Sequence, residues 1–253
     1  RYVSAMCSGM IRFALAALTA ALLHSGAVEA AELGKRMLGA REAAAWRGVG
    51  RLNVAGTRFC TAALISEREA LTAAHCLYNP RTGKRAPLAM MRFVAGLRLG
   101  GHAAARRVTA ARALAGYRYS SSASFGSVAS DVAVLTLESP IDAATAPAFA
   151  IGARPPRGEP LTLVSYARDR AHAPSIEDVC RVSAEAGRVA AIDCDVTFGA
   201  SGAPVFAGRG ERRRIVGVVS ATAKSAAGAH VGVMVYVEGA LDRLVETRAE
   251  APD

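Results

Sequence analysis

The chain has 253 residues, and 52% hydrophobic against 21% charged residues is the composition of a globular protein, which excludes a disordered one. Its 31 Lys and Arg outweigh 21 Asp and Glu, for a formal net charge of +10. Only three of those basic residues are Lys, and Arg212-Arg213-Arg214 is the one tight run. Without aromatic interleaving or a nucleic-acid-binding motif, this charge reads as a solvated basic surface, and no nucleic-acid partner is expected.

The first predicted element is a leader. Met10-Ile11-Arg12 precedes an apolar run from Phe13 to Leu23, and Val28-Glu29-Ala30 supplies small residues at a cleavage point. That order is the pattern of a secretory signal peptide over residues 1–30, with Met10 as a possible start. A buried helix or a membrane anchor is the rival reading, but the run is short for a span of about 20 apolar residues. The expectation is export to the periplasm or the extracellular space, with no stable membrane anchor once the leader is removed.

From about residue 37 the chain reads as many short strands rich in Val, Leu, Ile and Ala, separated by Gly, Pro, Ser or Arg. Segments 58–65, 91–99, 132–138, 160–167, 214–220 and 230–237 are the clearest. Ser120-Ser121-Ser122-Ala123-Ser124 is a loop, and the prolines between Pro140 and Pro160 mark a boundary between halves. Leu241, Leu244 and Val245 fall on one face of a segment predicted as an amphipathic helix over 238–249. The class is all-β.

Three short stretches carry chemistry. Leu71-Thr72-Ala73-Ala74-His75-Cys76 is followed by Asp131-Val132-Ala133-Val134-Leu135, and then by Phe198-Gly199-Ala200-Ser201-Gly202-Ala203-Pro204-Val205. A serine hydroxyl is a poor nucleophile unless a base takes its proton, and a histidine titrates in the right range to do so. A carboxylate heading an apolar strand needs a partner. Taken singly, these could be a core histidine, a capping aspartate and a turn serine; their order and settings favour one site.

In that order the three stretches resemble the trypsin-like, chymotrypsin-fold serine peptidases, and most of all their bacterial glutamyl-endopeptidase-like branch. The resemblance spans roughly residues 37–245. It implies two packed antiparallel six-stranded β-barrels with a C-terminal helix, barrel one over about 37–145 and barrel two over about 146–253. It implies His75, Asp131 and Ser201 as the catalytic triad, in a cleft between the halves. Gly199 and Ser201 then supply the oxyanion-hole amides, and Ser220, Ala221 and Thr222 one wall of the substrate pocket. Asp195, six residues before Ser201, matches the acid with which trypsins bind basic side chains.

Four cysteines remain beyond the leader, since Cys7 lies within it, and an even number suits an oxidising compartment. Four allow three pairings. The resemblance selects Cys60 with Cys76, which leaves Cys180 with Cys194. A zinc site is disfavoured because no close Cys-x-x-Cys pair exists, so no metal is expected, and the peptidase resemblance implies no cofactor.

Departures from the family pattern matter too. Ala200 stands where trypsins carry the aspartate that captures a new N-terminus, so activation by that salt bridge at Met37 is not expected. Thr197 replaces a pocket cysteine, and Val219 replaces the histidine of glutamyl specificity. The expected function is that of a secreted, monomeric serine endopeptidase acting on proteins or peptides through an acyl-enzyme. A non-catalytic binding module and an esterase with the same triad are the alternatives.

Overall fold

The computed structural model describes residues 34–246, other than 57, 123, 226 and 227. The expected leader, Cys7 and the last three residues of the expected terminal helix lie outside the described residues. In chain order the first strands are β1 (Arg36–Met37), β2 (Val49–Val54), β3 (Arg58–Leu64), β4 (Glu69–Thr72), β5 (Met91–Ala95), β6 (Ala104–Leu114) and β7 (Ala133–Leu137). They are followed by β8 (Leu161–Ser165), β9 (Ser175–Cys180), β10 (Val182–Ala186), β11 (Val189–Ile192), β12 (Pro204–Ala207), β13 (Arg214–Lys224), β14 (His230–Tyr236) and β15 (Leu244–Glu246). The helices α1 (Ala40–Ala43) and α2 (Phe125–Ala129) are single turns. No helix among the described residues is long and apolar enough to cross a membrane.

One sheet runs β15-β6-β5-β2-β3-β4-β7, and β6 pairs with β7 as well. Its length allows this: β6 meets β5 through 104–107, β15 through 112–114, and β7 along its other edge. Six strands therefore close into an antiparallel barrel, as expected for the first half.

The second half departs from the expectation. Its sheet has eight strands in the order β1-β9-β8-β12-β13-β14-β11-β10 and does not close. At one edge, β1 occupies the side of β9 at Ser175 and Ile176. At the other, β10 is Val-Ser-Ala-Glu-Ala, exposed beyond its first residue. With no large apolar face to bury, that hairpin gains nothing by curling inward. The expected six-stranded second barrel is thus an open sheet.

Among the described residues, the expected C-terminal helix is also absent. Gly239 turns the chain with φ +60°, Leu241–Arg243 forms a single 3₁₀ turn, and β15 then pairs with β6. Leu241 and Leu244 satisfy a helical spacing, but a turn leading into an edge strand satisfies it equally well. The free backbone edge of β6 decides between them.

The main core spans both sheets. Phe206 of β12 is fully buried, edge-on to Trp46 at 5.1 Å and to Phe149 at 4.9 Å between ring centroids. Trp46 leads into β2, and Phe149 lies in the connection between the halves, so this aromatic knot holds one sheet to the other. Burying a side chain of this size contributes about 2 kcal/mol. A smaller apolar cluster, including Leu163, Val205 and Met234, lies within the open sheet.

Candidate active site

His75 sits in a 3₁₀ turn, Ala74–Leu77, directly after β4. Asp131 lies between α2 and β7, only 4% exposed, with its amide bonded to the Val128 carbonyl at 3.0 Å. Although the two are far apart in sequence, β4 and β7 are paired neighbours, with Thr72 opposite Ala133. Sheet register alone brings the ends of these strands together.

The Asp131 carboxylate accepts three hydrogen bonds. The His75 amide donates to Oδ1 at 2.7 Å, His75 Nδ1 lies 2.7 Å from Oδ2, and Ser220 Oγ donates to Oδ2 at 2.5 Å. A carboxylate so deeply buried requires such partners. Because an ionised carboxylate oxygen only accepts, the ring proton belongs on Nδ1, leaving Nε2 as the acceptor.

Ser201 occupies a turn that the barrel holds from below. Its carbonyl accepts the Thr61 amide at 2.8 Å. Thr61 Oγ1 donates to the Gly199 carbonyl at 3.0 Å and accepts the Tyr166 amide at 2.9 Å, while the Thr61 carbonyl accepts Thr72 Oγ1 at 2.8 Å. One buried threonine of β3 thus ties the serine turn, the end of β8 and β4 to one point. Gly202 must be glycine: its φ is +77°, and a Cβ there would overlap Thr72 Oγ1 and the Thr61 carbonyl oxygen. Gly199 has φ +94°, and a Cβ there would overlap the Phe59 ring and the Tyr166 carbonyl. Among the described residues, neither the Gly199 nor the Ser201 amide donates to a protein acceptor.

His75, Asp131, Gly199, Ser201 and Ser220 all line one cavity of about 500 Å³. Ser201 Oγ and His75 Nε2 share this space without a hydrogen bond between them; the neighbour of Nε2 is Cys76 Sγ at 3.9 Å. Such contacts commonly tighten only when substrate arrives. Cys76 is bonded to Cys60, and Cys180 to Cys194, with Cα separations of 6.2 and 5.1 Å. Among the described residues, two groups have potential metal-ligand spacing, Cys60 with His75 and Cys76, and Glu177 with Cys180 and Cys194, but in each the two sulfurs are joined to one another.

Not every expected residue is gathered here. Ala221 and Thr222 follow Ser220 along β13, opposite Val233 and Gly232 of β14. Asp195 stands outside the cavity lining, its side chain 70% exposed and 3.5 Å from Lys35 Nζ, with its amide on Glu177. Ala200 is fully buried. Conversely, sequence reasoning passed over Thr61, the bond from Ser220 to Asp131, and the cavity walls Tyr117 and Tyr119. Tyr119 stacks on Tyr78 at 4.9 Å, and burial raises the Tyr117 phenol above its ordinary range, so it stays neutral. A polar residue within an apolar strand beside a disulfide cysteine was the available signal for Thr61.

The Cys60–Cys76 bridge holds β3 against the turn that carries His75. Cys60→Ala/Cys76→Ala is expected to lose about 3 kcal/mol of stability, seen as a fall in Tm of roughly 6–12 °C by calorimetry. An unchanged Tm would show that the bridge does not stabilise the fold.

A closed β-barrel beside an open sheet, with an imidazole held by a buried carboxylate in one cavity with a serine, defines a serine peptidase of the Ser/His/Asp type. The Trypsin family model matches residues 39–244, and the chain belongs to that family of serine endopeptidases. Among solved structures it is similar to a Glu endopeptidase, with TM-score 0.68 and 19% identity over 83% of this chain and 94% of that one. The protease Anisep from Arthrobacter nicotinovorans superposes with TM-score 0.62 and 16% identity, covering 81% of this chain and 96% of that one. A thermostable serine protease, AL20, from an extremophilic microorganism gives 0.61 and 19%, over 79% and 96%. No curated protein matches the chain in sequence.

Proposed function

We propose that Ser201 is the nucleophile, His75 its general base and then general acid, and Asp131 the group that orients and charge-stabilises His75. The observation that carries this reading is the 2.7 Å contact of His75 Nδ1 with a carboxylate that is itself buried, in the cavity that Ser201 lines. His75 Nε2 takes the Ser201 proton as Oγ attacks the peptide carbonyl carbon. The oxyanion is received by the Gly199 and Ser201 amides, each worth about 3 kcal/mol in the transition state. His75 then protonates the leaving nitrogen, the C–N bond breaks, and water hydrolyses the acyl-enzyme by the reverse proton path.

The acyl side of the substrate runs along β13. β12 pairs with β13 only as far as Val218, so the edge at Ser220, Ala221 and Thr222 is open to an added strand. The protein works as an exported monomer on protein or peptide substrates, after loss of residues 1–30 and without a cofactor. Two disulfides support an oxidising compartment.

A fluorophosphonate probe combined with peptide-library profiling tests this reading. Folded, leaderless protein is expected to be labelled once per chain, on Ser201, and to cleave internal peptide bonds. Failure of both reactions would reassign the cavity to binding without catalysis. Labelling with ester but no peptide turnover would favour an esterase.

A further inference from the structure

Resting on the peptidase reading, we infer that the enzyme selects substrates with an acidic side chain just after the cleaved bond, recognised by Arg168 on the Phe198 ring. The charge of the cavity is the first ground. Among the described residues, Asp131 is the only acid in its lining, and its oxygens are already engaged by His75 and Ser220. Two cations remain, Arg58 and Arg168, and they differ. Arg58 is partly buried and occupied, with Nη1 donating to the Tyr78 carbonyl at 2.9 Å and Nη2 to Cys60 Sγ at 3.3 Å. Arg168 is exposed, and among the described residues its guanidinium has no carboxylate or carbonyl partner. The carboxylate next to it in sequence, Asp169, pairs with Arg170 at 3.5 Å.

Arg168 is also held in place. Its amide donates to the Phe198 carbonyl at 2.7 Å, and its guanidinium lies 4.9 Å from the centre of the Phe198 ring. Phe198 is 73% exposed, so the pair forms a raised, cationic lip next to Gly199. A guanidinium stacked on an aromatic face keeps its donor edge free for a carboxylate.

The side of the cavity follows from the chemistry. The acyl portion occupies the open edge of β13, and His75 Nε2, which must protonate the leaving nitrogen, faces the Cys60–Cys76 bridge. Beside that bridge stands Phe59, whose ring occupies the space a Cβ on Gly199 would need. Phe59, Gly199, Phe198 and Arg168 therefore make one continuous wall, and the chain leaving Ser201 away from β13 passes over it.

The test uses internally quenched peptides built on a sequence the protein cleaves, paired as Glu or Gln at the first residue after the bond, and in a second set at the second residue. Fluorophosphonate titration counts competent sites in each preparation. For wild type, kcat/KM is expected to favour Glu by about fivefold in one of the sets at low salt, declining toward parity at high salt. Arg168→Gln should bring the ratio to about one, Arg168→Lys should keep part of it, and Arg168→Glu should reverse it. Parity in wild type for both sets, or a ratio that survives in Arg168→Gln, overturns the inference while leaving the peptidase reading intact. Protein that neither titrates nor cleaves any peptide overturns the peptidase reading and this inference with it.

Discussion

Ser201→Ala is expected to lower kcat about 10⁶-fold, the largest loss any single substitution should cause here. The hydroxyl is the only part of the turn that can form the acyl-enzyme, and the methyl of alanine supplies neither nucleophile nor proton. The remaining turnover would come from water activated within a cavity whose two free amides still stabilise an oxyanion, so it should exceed the uncatalysed rate. Thermal unfolding should be close to that of wild type, because Ser201 is anchored through its carbonyl on Thr61 and not through its side chain. Active-site titration together with calorimetry checks both halves. Fluorophosphonate labelling that persists in the variant would remove Ser201 from the reaction.

Asp131→Asn should cost about 10⁴-fold in kcat with little change in KM. Three donors converge on this carboxylate, and an amide offers one oxygen. If that oxygen keeps the His75 amide, an NH₂ group then faces Nδ1 and Ser220 Oγ. The imidazole must move its proton to Nε2, the nitrogen that has to accept from Ser201. Ring ¹⁵N chemical shifts should report the changed tautomer while substrate binding is retained. A loss below about tenfold would mean that orientation of His75 comes from elsewhere, such as its backbone bond within the 3₁₀ turn.

What the sequence discloses is local chemistry. His75, Asp131 and Ser201 each bring their own neighbours, because a carboxylate at the head of an apolar strand is buried and needs a partner, and the serine turn needs Gly199 and Gly202 at positive φ. Partnerships formed across the chain are far less visible. Ser220 reads as a pocket wall, and only the meeting of β13 with the barrel reveals its bond to Asp131, 89 residues away. Arg168 carries no motif, since the role inferred for it comes from its place over the Phe198 ring in space. Architecture failed at the edges for the same reason. The strands of the second half are individually legible, whereas closure depends on which strands end as neighbours, and the small, polar residues of β10 tell against closure only once its place at the sheet edge is known. Likewise, Leu241 and Leu244 fit a helix until Gly239 and the free side of β6 are taken into account.

The two ends of the described chain are exchanged between the sheets. Strand β1, from the start, extends the open sheet on β9, and β15, from the end, extends the barrel on β6. Each sheet is therefore extended at one edge by the terminus belonging to the other half, like two belts buckled through one another. A protease nick in the exposed connection around Arg154 and Arg157 would cut the covalent thread without releasing either piece. The fragments should co-migrate under native conditions and melt in a single transition, and each half expressed alone should lack the edge strand that the other supplies. Interlocking of this kind suits a protein that must survive among proteases, since a first cut costs it no architecture.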